Sequence, residues 1–342
     1  MRTDTASEKL HLVYATDRGY RFLAMVSAKS AICKASQPER LVVHLLDCGL
    51  TDEDWATFSD TLRKGAEAVE VRRHQVSTEQ FGGFTAWKGS FAAYARLYVA
   101  ELLPEERWCL YADCDTLFLD DPLKLLAECD PAVALKGYWI WYDKPCKPWV
   151  RDPVESWLAE HCPGMDFSQY LNSGFLLMNL DWWREHRLME RCLDFFRRFP
   201  KVPWPDEMAL NAVCHGHVAG LPEGWGAFPD YAFSLPRARS IHYVCSVLNA
   251  PKFKRFWGYD DATAVWVNFV RSVLGVPVRQ ACGVPGWKWA LGRAYNHLFR
   301  AAIATLRGLP GLRRWRRLDN VAALFARGEN RRALSAGFWG AR

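Results

Sequence analysis

Nowhere does the chain hold an uninterrupted apolar run near the ~20 residues needed to cross a bilayer. The opening "MRTDTASEKL" is polar and no early apolar stretch follows it, so a secretory leader is not expected. The eleven cysteines are odd in number, scattered and without a C-x-x-C pair. That excludes a disulfide framework and leaves reduced, buried thiols as the expectation. The "CHGH" of Cys214 to His217 packs its candidate ligands too closely for a structural zinc. There is no internal repeat, no low-complexity segment and no convincing acid–base dyad.

Acidic residues are scarce at one end. From Trp287 onward twelve lysines and arginines face only Asp319 and Glu329, a net +10 that leaves −4 for the rest of a +6 chain. A basic body that binds nucleic acid is thereby excluded, and a local anionic partner of the tail is implied. Half of the 342 residues are hydrophobic, enough for a large core in one or two domains.

The apolar runs "LHLVYATD" (Leu10 to Asp17), "LVVHLLD" (Leu41 to Asp47) and "WCLYA" (Trp108 to Ala112) read as buried strands, with "VEVRRHQV" (Val69 to Val76) a weaker one. Helical patterns run from Tyr20 to about Lys34 and over "SFAAYARLYVAELLP", Ser90 to Pro104, and Thr51 with Asp54 makes a capping box for another. Strands alternating with helices predict an α/β fold with one Rossmann-like, mostly parallel sheet flanked by helices. Ligands gather at the carboxyl ends of the strands in such sheets, and Asp17 and the pair Asp113/Asp115 stand where strands run out. Residues i and i+2 of an extended backbone share a face. The two aspartates can therefore converge on one hard divalent cation, with Cys114 turned inward; the alternative reading of such a pair is a solvated turn.

Five segments, "VYATDRGY", "YARL", "DCDTLFLDDP", "YLNSGFLLMNLDWW" and "WPDEMALNAV", occur in that order. Together they resemble family 8 of the retaining glycosyltransferases, from about Leu10 to about Trp257. The resemblance implies a GT-A fold, a nucleotide-sugar donor and Mn²⁺ or Mg²⁺, and is strongest to bacterial members that extend lipopolysaccharide or other surface glycans with galactose or glucose. It implies that Ala15 and Asp17 contact uridine, with Tyr20 near the base and Arg96 facing the donor sugar or diphosphate. Asp113 would meet ribose and metal, Asp115 would bind metal, and His242 of "SIHYVC" would be the third ligand. Asn172 and Ser173 would line the donor-sugar pocket, Asp206 would hold sugar hydroxyls and Glu207 would sit beside the anomeric carbon. Lys252 and Lys254 are the candidates to clamp the diphosphate.

Two departures stand out. The family writes Asp-Gln-Asp where this chain has Asp206, Glu207 and Met208, and its closing His-x-x-Gly-x-x-Lys-Pro-Trp is degraded, with Cys245 in the glycine position. Glu207 is either a nucleophile or a stabiliser of the cationic sugar. Two rival readings are a glycogenin-type transferase that glycosylates itself or another protein, and a degenerate member that binds nucleotide without turnover.

"YWIWYDKPCKPW", Tyr138 to Trp149, holds too many prolines and aromatics for regular structure, and is a candidate acceptor loop or an aromatic satellite core. In the tail, Leu312, Trp315, Leu318, Ala322 and Phe325 fall three or four residues apart with arginines on the other face. That suits a helix lying on an anionic membrane, or a basic helical pair packed on the enzyme. The expected organisation is a transferase domain over 1–260 and a helical, basic extension over 261–342. The expected location is cytoplasmic, peripheral on the inner face of the cytoplasmic membrane, with a glycan or lipid-linked glycan as acceptor.

Overall fold

The computed structural model describes residues 8–87, 89–140, 148–165, 167–228, 238–244 and 259–277, with 287, 294 and 298. They fall into two compact units. The first takes the described residues of Met1–Ala28, Ala35–Cys114 and Pro122–Pro222, and the second those of Lys29–Lys34, Asp115–Asp121 and Glu223 onward.

The first unit is built on a seven-stranded sheet. Its strands are β1 (Leu10–Thr16), β2 (Leu41–Asp47), β3 (Glu70–Gln75), β4 (Trp108–Ala112), β6 (Leu135–Trp139), β7 (Leu171–Asn179) and β8 (Val218–Gly220); the two-stranded sheet of the second unit supplies β5 (Thr116–Phe118) and β9 (Ser240–His242). The seven-stranded order is β3-β2-β1-β4-β7-β6-β8. Its pairs are parallel except those that β7 makes with β4 and β6. Every residue of β1, β2, β4 and β7 is buried, as near-continuous Val/Leu runs require when helices cover both faces of a sheet. The edge strand β3 instead carries Arg72 and Arg73, charges that discourage edge-to-edge pairing.

The helices are α1 (Arg21–Lys34), α2 (Asp52–Arg63), α3 (Val99–Leu102), α4 (Pro148–His161), α5 (Leu180–Glu185), α6 (Leu188–Arg198), α7 (Pro205–Val213) and, in the second unit, α8 (Tyr259–Val273). The capping box expected at α2 is present: Thr51 Oγ1 accepts from the Asp54 amide at 3.1 Å and the Thr51 amide donates to Asp54 Oδ2 at 3.2 Å. The same carboxylate meets Arg18 at 3.1 Å and Arg21 at 2.8 Å, which ties the start of α1 to the start of α2. One core cluster joins Val13, Tyr111 and Met178 of the sheet to Leu188, Phe196 and Leu210 of the helices. Met208 is also fully buried in it, so the thioether that departs from the family pattern is a core residue. Among the described residues no helix is long and apolar enough to cross a membrane.

Two expectations need correction. Ser90–Pro104 is not one α-helix: Ala92–Tyr98 is a 3₁₀ run, and only Val99–Leu102 is α-helical. Arg96 Nε takes the Ala93 carbonyl at 2.9 Å, the acceptor that an α-helix would give to the amide of residue 97. Tyr138–Trp149 is regular at both ends, which lie in β6 and α4, while residues 141–147 lie outside those described. The tail helix expected over Leu312 to Phe325, and Lys252 and Lys254, lie outside the described residues.

Candidate active site

Because β7 runs against its neighbours, its first residues stand at the carboxyl edge of the sheet, where β1 and β4 end. The amide of Asp113, just past β4, donates to the Gly174 carbonyl at 2.7 Å and fixes that edge. Arg96 is the hub. It is 2% exposed, and its Nη2 donates to Asp113 Oδ1 at 2.9 Å while Nη1 donates to the Ser173 carbonyl at 2.6 Å and lies 3.1 Å from Asp206 Oδ2. The guanidinium sits 4.2 Å above the Tyr111 ring. Burial works to lower the pKa of Arg96, but the Asp206, Tyr111 and Asp113 groups around it outweigh that and raise it.

Asp206 and Glu207 occupy the first turn of α7, after Pro205, where the helix dipole favours negative charge. Ser173 Oγ donates to Asp206 Oδ2 at 2.9 Å. Glu207 Oε2 accepts from Asn172 Nδ2 at 2.9 Å and from the Ser173 amide at 3.2 Å. Burial is the main influence on both acids and raises both; Arg96 opposes it at Asp206. Glu207 is pushed up to about 7, the Ser173 amide opposing and the charge of Asp206 adding.

Asn211 was not singled out in the sequence, yet it clamps the start of β7, accepting from the Leu171 amide at 2.7 Å and donating to the Leu171 carbonyl at 2.8 Å. Its spacing from Glu207, one helical turn on the same helix, was the available signal. Tyr111 was missed as well, because a buried strand tyrosine has no distinguishing pattern.

At the end of β1, Ala15 is buried, and its carbonyl is met by the inward-turned Cys114 thiol at 3.2 Å. Asp17 Oδ1 accepts from the amides of Gly19 (2.8 Å) and Tyr20 (3.2 Å). A Cβ at position 19 would lie 3.1 Å from that oxygen, so glycine gives the turn its room. Tyr20 is half-buried just ahead of α1.

In the second unit, β5 and β9 pair antiparallel with Thr116 opposite His242. His242 Nε2 lies 3.2 Å from Asp115 Oδ1, and both side chains are buried. The Tyr243 amide donates to the Asp115 carbonyl at 2.8 Å. Asp113 precedes Asp115 by two residues, but on a turn that leaves β4 and not on the extended strand expected; the two neighbouring strands belong to different sheets. Among the described residues, Asp113, Asp115 and His242 are the one group of three able to hold a metal ion. The set fits a divalent cation: two carboxylates and an imidazole are hard and borderline donors. The buried Thr116 hydroxyl beside the pair also has no protein partner among the described residues.

The family described as Glycosyl transferase family 8 matches residues 11–253. The chain belongs to that family. Its fold is the GT-A architecture. It is similar to a Haemophilus influenzae protein named as a glycosyltransferase, with 24% identity over 215 residues, 62% of this chain and 61% of that one. The chain thus spans less than two thirds of that relative. It is also similar to the lipopolysaccharide 1,2-glucosyltransferase of Escherichia coli, 25% identical over 125 residues, 35% of this chain and 37% of the other. Among solved structures, the galactosyltransferase LgtC in complex with donor and acceptor sugar analogs superposes with a TM-score of 0.62 at 22% identity, covering 83% of this chain and all of that one.

Proposed function

We propose that this family 8 transferase moves galactose or glucose from a UDP-sugar to a lipopolysaccharide or other surface glycan, with retention at the anomeric carbon and with Mn²⁺ or Mg²⁺ bound. The observation that carries this reading is the buried network in which one arginine aligns Asp113 and Asp206 beside Glu207 at the carboxyl edge of the sheet.

Ala15, Asp17 and Tyr20 take the uridine. Asp17 Oδ1 is committed to backbone amides, which leaves Oδ2 to accept from the uracil N–H. Asp113, Asp115 and His242 hold the metal. Once bound, a divalent cation supplies positive charge against the charge that gathers on the departing diphosphate. Lys252 or Lys254 adds a second clamp. Asn172 and Ser173 border the sugar and keep Asp206 and Glu207 in place. Asp206 accepts from sugar hydroxyls, and ionised Glu207 faces the oxocarbenium-like sugar and lowers its energy. The leaving phosphate takes the acceptor proton, so no protein base is required. The aromatic stretch from Tyr138 to Trp149 receives the acceptor. The domain closes near residue 260, and the basic extension over 261–342 rests on an anionic membrane surface at the cytoplasmic face, where lipid-linked glycans are built.

UDP release from UDP-galactose and UDP-glucose, measured with Mn²⁺, tests the reading. EDTA and Asp115→Asn are each expected to abolish turnover, and full activity under either sinks it. Truncation near Trp287 is expected to release the protein from anionic liposomes while leaving donor hydrolysis intact; equal binding by the short form removes the membrane role.

A further inference from the structure

Away from the active site, three imidazoles form a row across β1, β2 and β3. His11 Nδ1 lies 3.0 Å from His44 Nε2, and His44 Nδ1 lies 3.0 Å from His74 Nε2. At the other end His11 Nε2 lies 2.9 Å from Glu106 Oε2. The strand register explains the alignment. Val13 stands opposite His44 and Leu46 opposite His74, so with a two-residue period the three histidines share one face of the sheet. His11 and His44 are buried, His74 is half-buried and the Glu106 side chain is partly exposed. The other charged groups acting on the row are Lys9, Glu70 and Arg72.

A neutral imidazole has one donor and one acceptor. An ionised Glu106 can only accept, so His11 must carry its proton on Nε2. His11 Nδ1 is then an acceptor, which requires His44 to donate from Nε2, and the same argument passes to His74. One carboxylate at one end therefore fixes all three tautomers. A proton arriving from solvent finds its acceptor at His74 Nδ1. Each imidazole can then hand its Nε2 proton to the next, and the last handover puts a proton on Glu106. Every bond in the row is then reversed: Glu106 is neutral and donates, all three imidazoles are Nδ1–H, and one proton has been taken up. No imidazolium remains, and burial is what makes that state unfavourable. Desolvation, followed by Arg72 and Lys9, brings His11 down to about 4. Desolvation, followed by the neighbouring histidines and Arg72, brings His44 down to about 2.

We propose that Glu106, His11, His44 and His74 form a two-state proton relay, built into the sheet, that exchanges an all-Nε2–H arrangement for an all-Nδ1–H one on uptake of a single proton. The test is ¹⁵N NMR of the full chain labelled at histidine, the nine histidines being sorted by single His→Gln variants. At pH 8 the three imidazoles should be Nε2–H only. On acidification each Nε2 resonance should move into the bare-nitrogen range and each Nδ1 resonance into the protonated range, all three together. Glu106→Gln removes the terminal proton acceptor and should abolish the exchange. An Nδ1–H tautomer at pH 8, an imidazolium at His11 or His44 before the exchange, or an unaltered exchange in Glu106→Gln would each overturn the relay. If Glu106→Gln does not fold, the titration of the unaltered protein decides alone.

Discussion

Replacing Arg96 with methionine keeps most of the side-chain volume and removes the guanidinium. The two carboxylates that it bridges, Asp113 and Asp206, and the carbonyls of Ala93 and Ser173 then lose their shared donor. Breaking a buried ion pair by deleting one partner costs about 3–5 kcal/mol, a large share of a typical folding stability of about 5–15 kcal/mol. The cost is capped because Asp206 can escape by taking up a proton. Burial already holds its pKa above the usual carboxylate range, and Arg96 is the main influence opposing that, so the variant raises it further. In the unfolded chain an Asp titrates near 3.9. A folded pKa above this value means stability that is present at low pH and lost as pH rises through the window up to the folded pKa. The deficit of Arg96→Met should therefore be smaller at pH 5 than at pH 8. Urea denaturation of both proteins at the two pH values measures it. A variant as stable as the parent at pH 8, or a deficit identical at both, would refute the argument. Arg96→Lys should not restore the parent, since a point charge cannot serve acceptors spread around a planar fork.

Glu207→Gln should leave substantial transferase activity. It should also remove a rise in rate through the region near pH 7, where a carboxyl held at about 7 becomes ionised; a pH–rate profile unchanged by the substitution would show that the charge of Glu207 is not used. Thr51→Ala breaks the capping box of α2 and should cost about 1 kcal/mol without altering turnover, measured by denaturation alongside UDP release; a loss of turnover at full stability would contradict a purely structural role.

The buried strands and the α2 cap were legible because each depends on local chemistry. An apolar run of strand length cannot sit in water, and a Thr–x–x–Asp sequence satisfies the amides at its own helix start. The segment around Arg96 was not legible in the same way. Its residues suit a helix, but the carbonyl of Ala93 is diverted to a side chain whose other bonds go to residues 77 and 110 positions away, at Ser173 and Asp206. Nor could periodicity show that the acidic pair lies on a turn, since Thr116 pairs with His242 from far along the chain.

By itself the sequence determined the class of fold, the strands that line its core and the kinds of side chain available for chemistry, since burial and backbone preference act over a few neighbouring residues. Tertiary structure decided the direction of β7. A reversed strand has the same apolar pattern as an unreversed one, and reversal alone brings Asn172 and Ser173 to the edge where Asp113 follows β4 and α7 presents Asp206 and Glu207. Which acids share Arg96, and which of them burial drives towards neutrality, is set by that placement and by the dry surroundings it creates.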